Sequence, residues 1–245
     1  STARDPIRAK TLRKLPSLSF PTPTILLFSM RFTTLIFDLD GTLLDTLADL
    51  HASVAYGLRT HGLAERSVAE VRAFLGNGIR NLIERSVPEG TDTPTLEAVF
   101  SDFRAHYLLH SLDTTRPYPG ILELLEQLRA AGVQMGIVSN KLDPAVQELN
   151  QRFFAPFMQV AVGESPGVRR KPHPDAVLEA MRRLNATPSE TLYIGDSEVD
   201  YATAQAAGIA CALVLWGFRD APELRELGAD FYAAAPADLW ATIAD

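Results

Sequence analysis

Hydrophobic residues of the 245-residue chain fall into two patterns. Some form short continuous runs, and others form stripes, in which they recur every three or four residues as on one face of a helix. The continuous apolar and β-branched runs predict buried strands of a parallel sheet, at residues 33–37, 133–138, 158–162, 191–194 and 209–215. The stripes predict helices over residues 121–130, 144–153, 174–184 and 201–207, with a short strand and a final helix in the tail. Strands separated by helices indicate an α/β fold, a doubly wound parallel sheet covered by helices on both faces.

The stretch between the first and second predicted strands has only helical spacing. Leu43, Leu44, Leu47 and Leu50 begin one helix face that continues to residue 58, and further helices are predicted over 68–75, 79–87 and 96–109. No strand is expected between residues 43 and 112. We therefore predict a core domain formed by residues 31–45 and 113–245, with residues 46–112 inserted as an all-helical domain.

Residues 1–30 differ in composition from the rest of the chain. Five basic residues stand against one acidic residue, and prolines at positions 16, 21 and 23 interrupt any helix. We interpret this stretch as a non-native or disordered segment that ends at Met30, and an organelle-targeting segment is the alternative. Neither interpretation gives it a catalytic role.

Composition and charge exclude several classes of function. No stretch approaches the roughly 20 apolar residues that span a bilayer, so no membrane insertion is expected. The formal net charge of −7 argues against nucleic-acid binding. Cys211 is the single cysteine, which excludes an intrachain disulfide and fits a reducing, cytoplasmic location. Oligomeric state stays open.

Two carboxylates follow the first predicted strand. Asp38 and Asp40 are two residues apart, so in extended geometry both side chains project to the same side. Gly41 then permits a sharp turn. Ligands of open parallel sheets gather outside the carboxyl ends of the strands, which is where this pair is expected to lie. A hairpin turn is the alternative, but a long helix follows instead of a partner strand.

Polar residues also follow the second predicted strand and precede a later helix. Ser139 and Asn140 could donate hydrogen bonds to phosphoryl oxygens, or they could cap the next helix. Lys171 ends a basic run and could neutralise a phosphoryl transition state. Taken alone, that run also fits a solvated surface.

Two further carboxylates follow the strand predicted over residues 191–194. Asp196 and Asp200 are spaced to share one face of the helix that begins there. Carboxylates that converge with Asp38 suit Mg²⁺, which prefers oxygen ligands. The alternative, an acidic helix N-terminus favoured by the helix dipole, explains the acids but not their position at matching strand ends.

The order Asp-x-Asp-Gly-Thr, Ser, Lys and Gly-Asp-x-x-x-Asp resembles the four motifs of the haloacid dehalogenase-like hydrolase superfamily. The resemblance covers about residues 31–245 and is nearest to the phosphoglycolate phosphatase branch. It implies that Asp38 is the nucleophile, forming an aspartyl-phosphate, and that Asp40 is the general acid and base. It further implies that Ser139 and Lys171 bind the phosphoryl oxygens.

The resemblance also implies a magnesium cofactor. The implied metal-site residues are Asp38, the Asp40 backbone carbonyl, Asp196 and Asp200, the last of which would orient metal waters or Lys171. The helical insertion corresponds to the family's mobile cap. The expected substrate is a small phosphorylated metabolite, and the remaining expected substrate-binding residues are Thr42, Asn77, Gly78, Arg80 and Asn140.

Two related activities remain as alternatives. A phosphomutase of the β-phosphoglucomutase type shares the Asp38 and Asp40 chemistry, although such proteins usually have Val where this chain has Thr42. A pyrophosphatase on the same scaffold is the other. A non-catalytic binding protein of this fold is disfavoured because all four motif carboxylates are present. Which ester is the substrate is left open by the sequence.

Overall fold

The fold is organised by one parallel sheet in a computed structural model that describes residues 30–244. In chain order the strands are β1 (Thr34–Phe37), β2 (Leu44–Asp45), β3 (Arg116–Pro117), β4 (Gln134–Leu142), β5 (Val160–Glu164), β6 (Thr191–Gly195), β7 (Ala210–Val214) and β8 (Phe231–Ala233). Six of them form a sheet in the order β5-β4-β1-β6-β7-β8, with every neighbouring pair parallel. The predicted doubly wound α/β core is confirmed.

Ten α-helices surround and extend this sheet within the described residues. They are α1 (Leu47–Thr60), α2 (Val68–Phe74), α3 (Gly78–Ser86), α4 (Thr93–His110), α5 (Ile121–Ala130), α6 (Asp143–Leu149), α7 (Asp175–Leu184), α8 (Glu198–Ala207), α9 (Ala221–Glu226) and α10 (Pro236–Ile243). A π-helical turn, Asn150–Phe154, extends α6, and a 3₁₀ turn, Pro188–Glu190, precedes β6. Helix α9 was absent from the sequence prediction.

Strand β1 lies between two hydrophobic clusters because its side chains alternate between the two faces of the sheet. Leu35 and Phe37 pack with helices α5, α6 and α10 on one face. Ile36 packs with α7 and α8 on the other face. Residues of β1 are therefore buried on both sides, which explains why its sequence is a continuous apolar run instead of an alternating one.

Helices α1 to α4 share a third hydrophobic cluster, which also includes Phe218 from the loop after β7. Leu50, Val54 and Leu58 of α1 are buried in it with Val99 and Phe103 of α4. The α1 face expected from the sequence is therefore present. None of the described helices is long and apolar enough to cross a membrane.

The prediction that Leu43 and Leu44 begin this helix is wrong. Both side chains are fully buried in the core-domain cluster, and α1 begins only at Leu47. Leu44 belongs to the short strand β2, which pairs antiparallel with β3 and so joins the two connections between the sheet and the helical insertion. The prediction failed because Leu43 and Leu44, which lie in a turn and the short strand that follows it, have the spacing of residues on a helix face.

Asp49 fixes the start of α1 to the second of these connections. Its carboxylate accepts hydrogen bonds of 2.7 to 3.1 Å from the backbone N–H and hydroxyl groups of Thr114 and Thr115. Burial raises the pKa of Asp49, but these hydrogen bonds outweigh that effect and hold it below its usual range. The helical insertion is thereby anchored at both of its ends.

The segment interpreted above as non-native or disordered, residues 1–30, lies outside the described residues except for Met30. The described part begins at Met30, which forms an isolated antiparallel bridge with Ala244. The next residue, Arg31, donates its backbone N–H to the Ile243 carbonyl at 3.0 Å. The first and last described residues therefore lie together.

Candidate active site

The predicted chemical residues converge because their strands are neighbours in the sheet. Asp38 directly follows β1, Asp196 directly follows β6, and Ser139 and Asn140 lie near the end of β4. Strands β4 and β6 flank β1 on its two sides, so their carboxyl ends meet at one edge. Lys171 reaches the same place from the loop between β5 and α7.

Lys171 is a buried cation held between carboxylates. Its ammonium Nζ lies 2.9 Å from Asp38 Oδ1 and 2.7 Å from Asp200 Oδ1. It also donates to the Tyr193 hydroxyl at 3.0 Å. Burial lowers the pKa of Lys171, but the two carboxylates outweigh that effect and raise it well above its usual value. Lys171 is therefore a permanent positive charge next to Asp38.

Asp38, Asp196 and Asp200 each offer an oxygen to a common cluster. One carboxylate oxygen from each lies within 4.8 Å of the other two, a spacing that fits a divalent cation. The Asp196 oxygens accept from the Thr42 hydroxyl at 3.2 Å and the Phe218 backbone N–H at 2.7 Å. An added Cβ at Gly41 would overlap the Asp196 carboxylate, so glycine is required for this close approach.

Asp200 differs from its two neighbours because both of its oxygens are already held. Oδ1 accepts from Lys171 and Tyr193, and Oδ2 accepts from the backbone N–H groups of Asp196 and Ser197 and from the Ser197 hydroxyl. These donors outweigh burial and lower the pKa of Asp200. Asp200 therefore contacts Lys171 and the Asp196 backbone directly, and the orienting role expected for it stays a prediction.

The pKa values of Asp38 and Asp196 are both raised, so these two carboxyl groups ionise less readily than usual. Burial and the Asp200 charge raise the pKa of Asp38 well above its usual range, although Lys171 opposes this. The same two causes, burial first, raise the pKa of Asp196 to about 7. A buried acidic pair of this kind gains a counter-charge when a divalent cation binds, so the donor set fits Mg²⁺.

Asp40 contacts a lysine that sequence reasoning missed. The Lys141 ammonium lies 3.0 Å from Asp40 Oδ1 and donates to the Tyr107 hydroxyl of α4 at 2.8 Å. Burial lowers the pKa of Lys141, but Asp40 and Tyr107 outweigh this and raise it. Lys141 follows Asn140 directly, inside a strand that was predicted to end at residue 138, so its burial had no signal in the apolar pattern.

The predicted phosphate-binding pair Ser139 and Asn140 lies at the site, with backbone contacts already made. The Asn140 side-chain amide donates to the carbonyls of Gly76 and Lys171, each at 3.1 Å, and accepts from the Lys171 N–H at 2.7 Å. Ser139 Oγ accepts from the Lys141 N–H at 3.1 Å. Asn140 therefore connects the helical insertion to the loop that positions Lys171.

A small cavity lies between the sheet edge and the helical insertion. It has a volume of about 60 Å³, is partly open to solvent and is lined by Asp38, Asp40, Ser139, Lys171 and Asp196 from the core. Gly76 and Gly78 line it from the insertion, whereas Asn77 and Thr42 do not. Thr42 acts instead on Asp196, through the hydrogen bond described above.

Arg80 is not brought to this cavity. Its guanidinium donates to Glu84 at 2.9 Å and to both Glu97 oxygens at 2.6 and 3.0 Å, and it is not among the residues that line the cavity. These ion pairs and its place over the Phe100 ring occupy the side chain, which is 39% exposed. A substrate contact from Arg80 stays a prediction without a supporting contact.

Comparison with known proteins agrees with this geometry. Residues 35–214 match the haloacid dehalogenase-like hydrolase family. The chain is 32% identical to the phosphoglycolate phosphatase of Aquifex aeolicus over 84% of this chain and 93% of the relative. It is 37% identical to that of Cereibacter sphaeroides over 76% of this chain and 87% of the relative.

A solved structure also resembles this chain closely in fold and sequence. One from Lactobacillus delbrueckii superimposes with a TM-score of 0.84 and 32% identity, covering 88% of this chain and 99% of that chain. The chain therefore belongs to the haloacid dehalogenase-like hydrolase family, in its phosphoglycolate phosphatase-like branch, and is a phosphoric monoester hydrolase.

Proposed function

We propose that this enzyme is a magnesium-dependent phosphatase that hydrolyses a small phosphate monoester through an aspartyl-phosphate on Asp38. The observation that carries the proposal is the position of the Asp38 carboxylate. It lines a small cavity, its Oδ1 is 2.9 Å from a permanently charged lysine, and it belongs to a cluster of carboxylates suited to a divalent cation.

The residues that would hold Mg²⁺ are Asp38 and Asp196 through their carboxylates and Asp40 through its backbone carbonyl. When bound, the ion supplies positive charge that reduces repulsion between a carboxylate and an anionic phosphate. Asp200 keeps Lys171 and the backbone of Asp196 in place. This division of roles follows from the hydrogen bonds that already occupy Asp200.

The chain's own residues then account for both halves of the reaction. In the first half, an Asp38 oxygen bonds to phosphorus, the ester P–O bond breaks, and Asp40 gives its proton to the leaving oxygen. Lys171 stabilises the charge on the phosphoryl oxygens. In the second half, water bonds to phosphorus, Asp40 takes its proton, and the bond between Asp38 and phosphorus breaks.

The helical insertion, residues 46–112, is proposed as the cap that closes the site. Its Gly76 carbonyl and Tyr107 hydroxyl contact Asn140 and Lys141 of the core. The cavity beside these contacts is lined by residues of both core and insertion, so closer approach of the insertion would shield a bound phosphoryl group from water. The relatives named as phosphoglycolate phosphatases favour a substrate as small as phosphoglycolate.

Phosphate release from a panel of small esters tests the proposal. The wild-type enzyme should release inorganic phosphate with Mg²⁺ and lose that activity when EDTA removes the metal. Asp38→Asn serves as the matched blank because the amide keeps the shape but is a poor nucleophile. Release that is unaffected by Asp38→Asn, or sugar-phosphate isomerisation without phosphate release, would overturn it, the second result in favour of a mutase.

A further inference from the structure

The side chain of Asn140 pairs with both backbone polar groups of Lys171. Asn140 Oδ1 accepts a hydrogen bond from the Lys171 N–H at 2.7 Å, and Asn140 Nδ2 donates to the Lys171 carbonyl at 3.1 Å. Within residues 30–244, these are the only hydrogen bonds that the backbone of Lys171 makes. One amide side chain therefore fixes this residue much as a neighbouring strand fixes the residue opposite it.

The rest of the loop does little to bury Lys171. Residues 169–170 before it and residues 172–173 after it are exposed, whereas the Lys171 side chain is only 3% exposed. The chain therefore enters and leaves the site through solvent-exposed segments. The buried position of this lysine depends on two sets of contacts, those of its ammonium with carboxylates and those of its backbone with Asn140.

The Asn140 amide has no donor left for a phosphoryl group. An amide nitrogen carries two hydrogens. One is donated to the Lys171 carbonyl and the other to the Gly76 carbonyl of the cap, each at 3.1 Å. The amide oxygen is an acceptor only, so it offers nothing to an anionic phosphoryl oxygen. These contacts indicate a role different from the substrate contact expected for Asn140 from the sequence.

We propose that Asn140 is a positioning residue, which holds the backbone of Lys171 so that the ammonium stays between Asp38 and Asp200. Its effect on the substrate is then indirect. This role rests on the proposed phosphatase function, in which Lys171 stabilises charge on the phosphoryl oxygens. Such a charge is most effective when it is already in place, so Asn140→Ala should lower kcat by at least about tenfold.

Acetylation of lysines by acetic anhydride tests this assignment without turnover. Lys141 and Lys171 are the two lysines among residues 30–244, and both are buried. Only the uncharged amine reacts, and neighbouring carboxylates raise the pKa of Lys171 well above its usual value. If Asn140→Ala releases Lys171 from those carboxylates, the pKa falls and the amine becomes exposed. Acetylation of Lys171, measured by mass spectrometry, should then be faster by at least about tenfold.

Lys141 is the internal control within the same variant. It contacts Tyr107 of the cap, so its acetylation reports a general opening between cap and core. Because its own contacts with Asp40 and Tyr107 are kept in Asn140→Ala, its rate should change by less than about twofold.

Arg219→Met is the matched control variant. Arg219 Nη2 donates to the Leu75 carbonyl at 2.8 Å, beside the Gly76 carbonyl that Asn140 contacts, and Nε donates to Glu198 at 2.7 Å. It therefore joins the core to the same cap loop but, in the part of the chain that the structure describes, makes no hydrogen bond to Lys171. Its replacement should leave the acetylation rate of Lys171 within about threefold of the wild-type rate.

Binding of inorganic phosphate in the presence of Mg²⁺ gives a second test. Asn140→Ala should weaken this binding by about fivefold in the otherwise unchanged enzyme, but by less than about twofold in Lys171→Gln, because a residue that acts through another has little effect once that other is replaced. Calorimetric titration measures both. Equal effects in the two backgrounds would show that Asn140 acts on phosphate independently of Lys171, and would overturn the assignment.

The acetylation outcomes decide the assignment. Thermal unfolding shows whether Asn140→Ala is folded at the labelling temperature, and Asn140→Asp, which keeps an acceptor for the Lys171 N–H but loses both donors, replaces it otherwise. An unchanged rate at Lys171, equal increases at Lys141 and Lys171, or a wild-type kcat would overturn the positioning role. An equal increase at Lys171 in Arg219→Met would mean that Asn140 only connects the cap to the core.

Failure of this inference is distinguishable from failure of the proposed function. Acetylation and phosphate binding need no turnover. If the wild type released no phosphate from any ester, the proposed function would be overturned, whereas a selective increase at Lys171 would still show that Asn140 holds this lysine.

Discussion

The Lys141 ammonium lies 3.0 Å from Asp40 Oδ1, and the Lys171 ammonium lies 2.9 Å from Asp38 Oδ1. Each of the two aspartates of the first motif therefore has its own buried lysine. The Lys141 side chain is 6% exposed, and its second partner, Tyr107, belongs to the cap. The contact between Lys141 and Asp40 thus forms where cap and core meet.

Removal of the Lys141 side chain should slow the chemical step. Asp40 has to exchange a proton in each half of the proposed reaction, and the Lys141 ammonium, 3.0 Å from its Oδ1, holds that carboxyl group in position. Lys141→Met is expected to lower kcat by about 100-fold, within the range that general acid–base catalysis contributes. Steady-state kinetics measure this, and KM should change much less.

Tyr107→Phe is the control for this prediction. It removes the hydroxyl that links Lys141 to the cap but leaves the contact with Asp40. Equal decreases in kcat for Lys141→Met and Tyr107→Phe would mean that Lys141 acts only as a contact between cap and core.

Loss of the Asp196 carboxylate charge should weaken metal binding. Asp196→Asn is expected to raise the half-saturating Mg²⁺ concentration by at least about tenfold, because the buried cluster loses one of its anionic oxygens. Asp220→Asn is the control, since Asp220 pairs with Arg72 outside the cluster. Calorimetric titration without substrate measures affinity independently of activity. Equal affinities in the two variants would contradict the metal assignment.

Magnesium affinity should also depend on pH. Burial and the nearby Asp200 raise the pKa of Asp196 to about 7, so protons compete with the metal below neutral pH. The ionised form binds the cation, and affinity should therefore fall as pH is lowered, by about tenfold per pH unit below 7. Titrations with Mg²⁺ at pH 6, 7 and 8 measure this. An affinity that is constant over this range would show that no buried carboxylate changes protonation on metal binding.

Asp49 should stabilise the fold through its hydrogen bonds to Thr114 and Thr115. Asp49→Asn is expected to lower the free energy of unfolding by about 2 kcal/mol at pH 7, since donors that faced a carboxylate lose an ionic acceptor. The folded-state pKa of Asp49 is depressed. Its stabilisation is therefore complete above the unfolded-state pKa of about 4 and is lost as pH falls through the folded-state value.

Urea unfolding from pH 7 to pH 3 measures this effect. The difference in free energy of unfolding between wild type and Asp49→Asn should become smaller at acid pH. Asp45→Asn is the control because the Asp45 side chain is exposed in β2 and, among residues 30–244, accepts only a long hydrogen bond of 3.4 Å from Leu47. A difference that stays constant over the whole pH range would contradict the role given to Asp49.

The sheet and its motif residues could be predicted because both depend on local sequence. Buried parallel strands are continuous apolar runs, and in this fold polar residues at their carboxyl ends meet at one edge. Asp38 and Asp196 are 158 positions apart, yet each directly follows its own strand, β1 or β6, and these strands are neighbours. The order of the motifs along the chain and their resemblance to one family led us to expect them together, although no local pattern gives the order of strands in the sheet.

Residues whose role depends on distant partners could not be predicted in this way. Arg219 acquires its position from Glu198 and from the Leu75 carbonyl, 144 positions away. Lys141 is buried by Asp40 and by Tyr107 of the cap. Neither contact leaves a periodic signal in the sequence, because an isolated basic residue after a strand usually faces solvent.

Arg80 shows the converse difficulty. Its position just after the cap loop suggested a contact with the substrate, but its guanidinium is paired with Glu84 and Glu97. The Glu84 partner is at the i,i+4 spacing that stabilises helices, which was the one sequence signal for a surface role. Proximity in sequence to a cavity residue such as Gly78 does not determine which side of a helix faces the cavity.

Chemical trapping of the covalent intermediate is the most direct test of the account. The enzyme is mixed with substrate and Mg²⁺, quenched during turnover and reduced with borohydride, which converts an aspartyl-phosphate to homoserine. We predict homoserine at position 38 alone, dependent on substrate and abolished in Asp38→Asn. An unmodified Asp38 in an enzyme that is releasing phosphate, or homoserine at position 40 instead, would contradict the central claim that Asp38 carries the phosphoryl group.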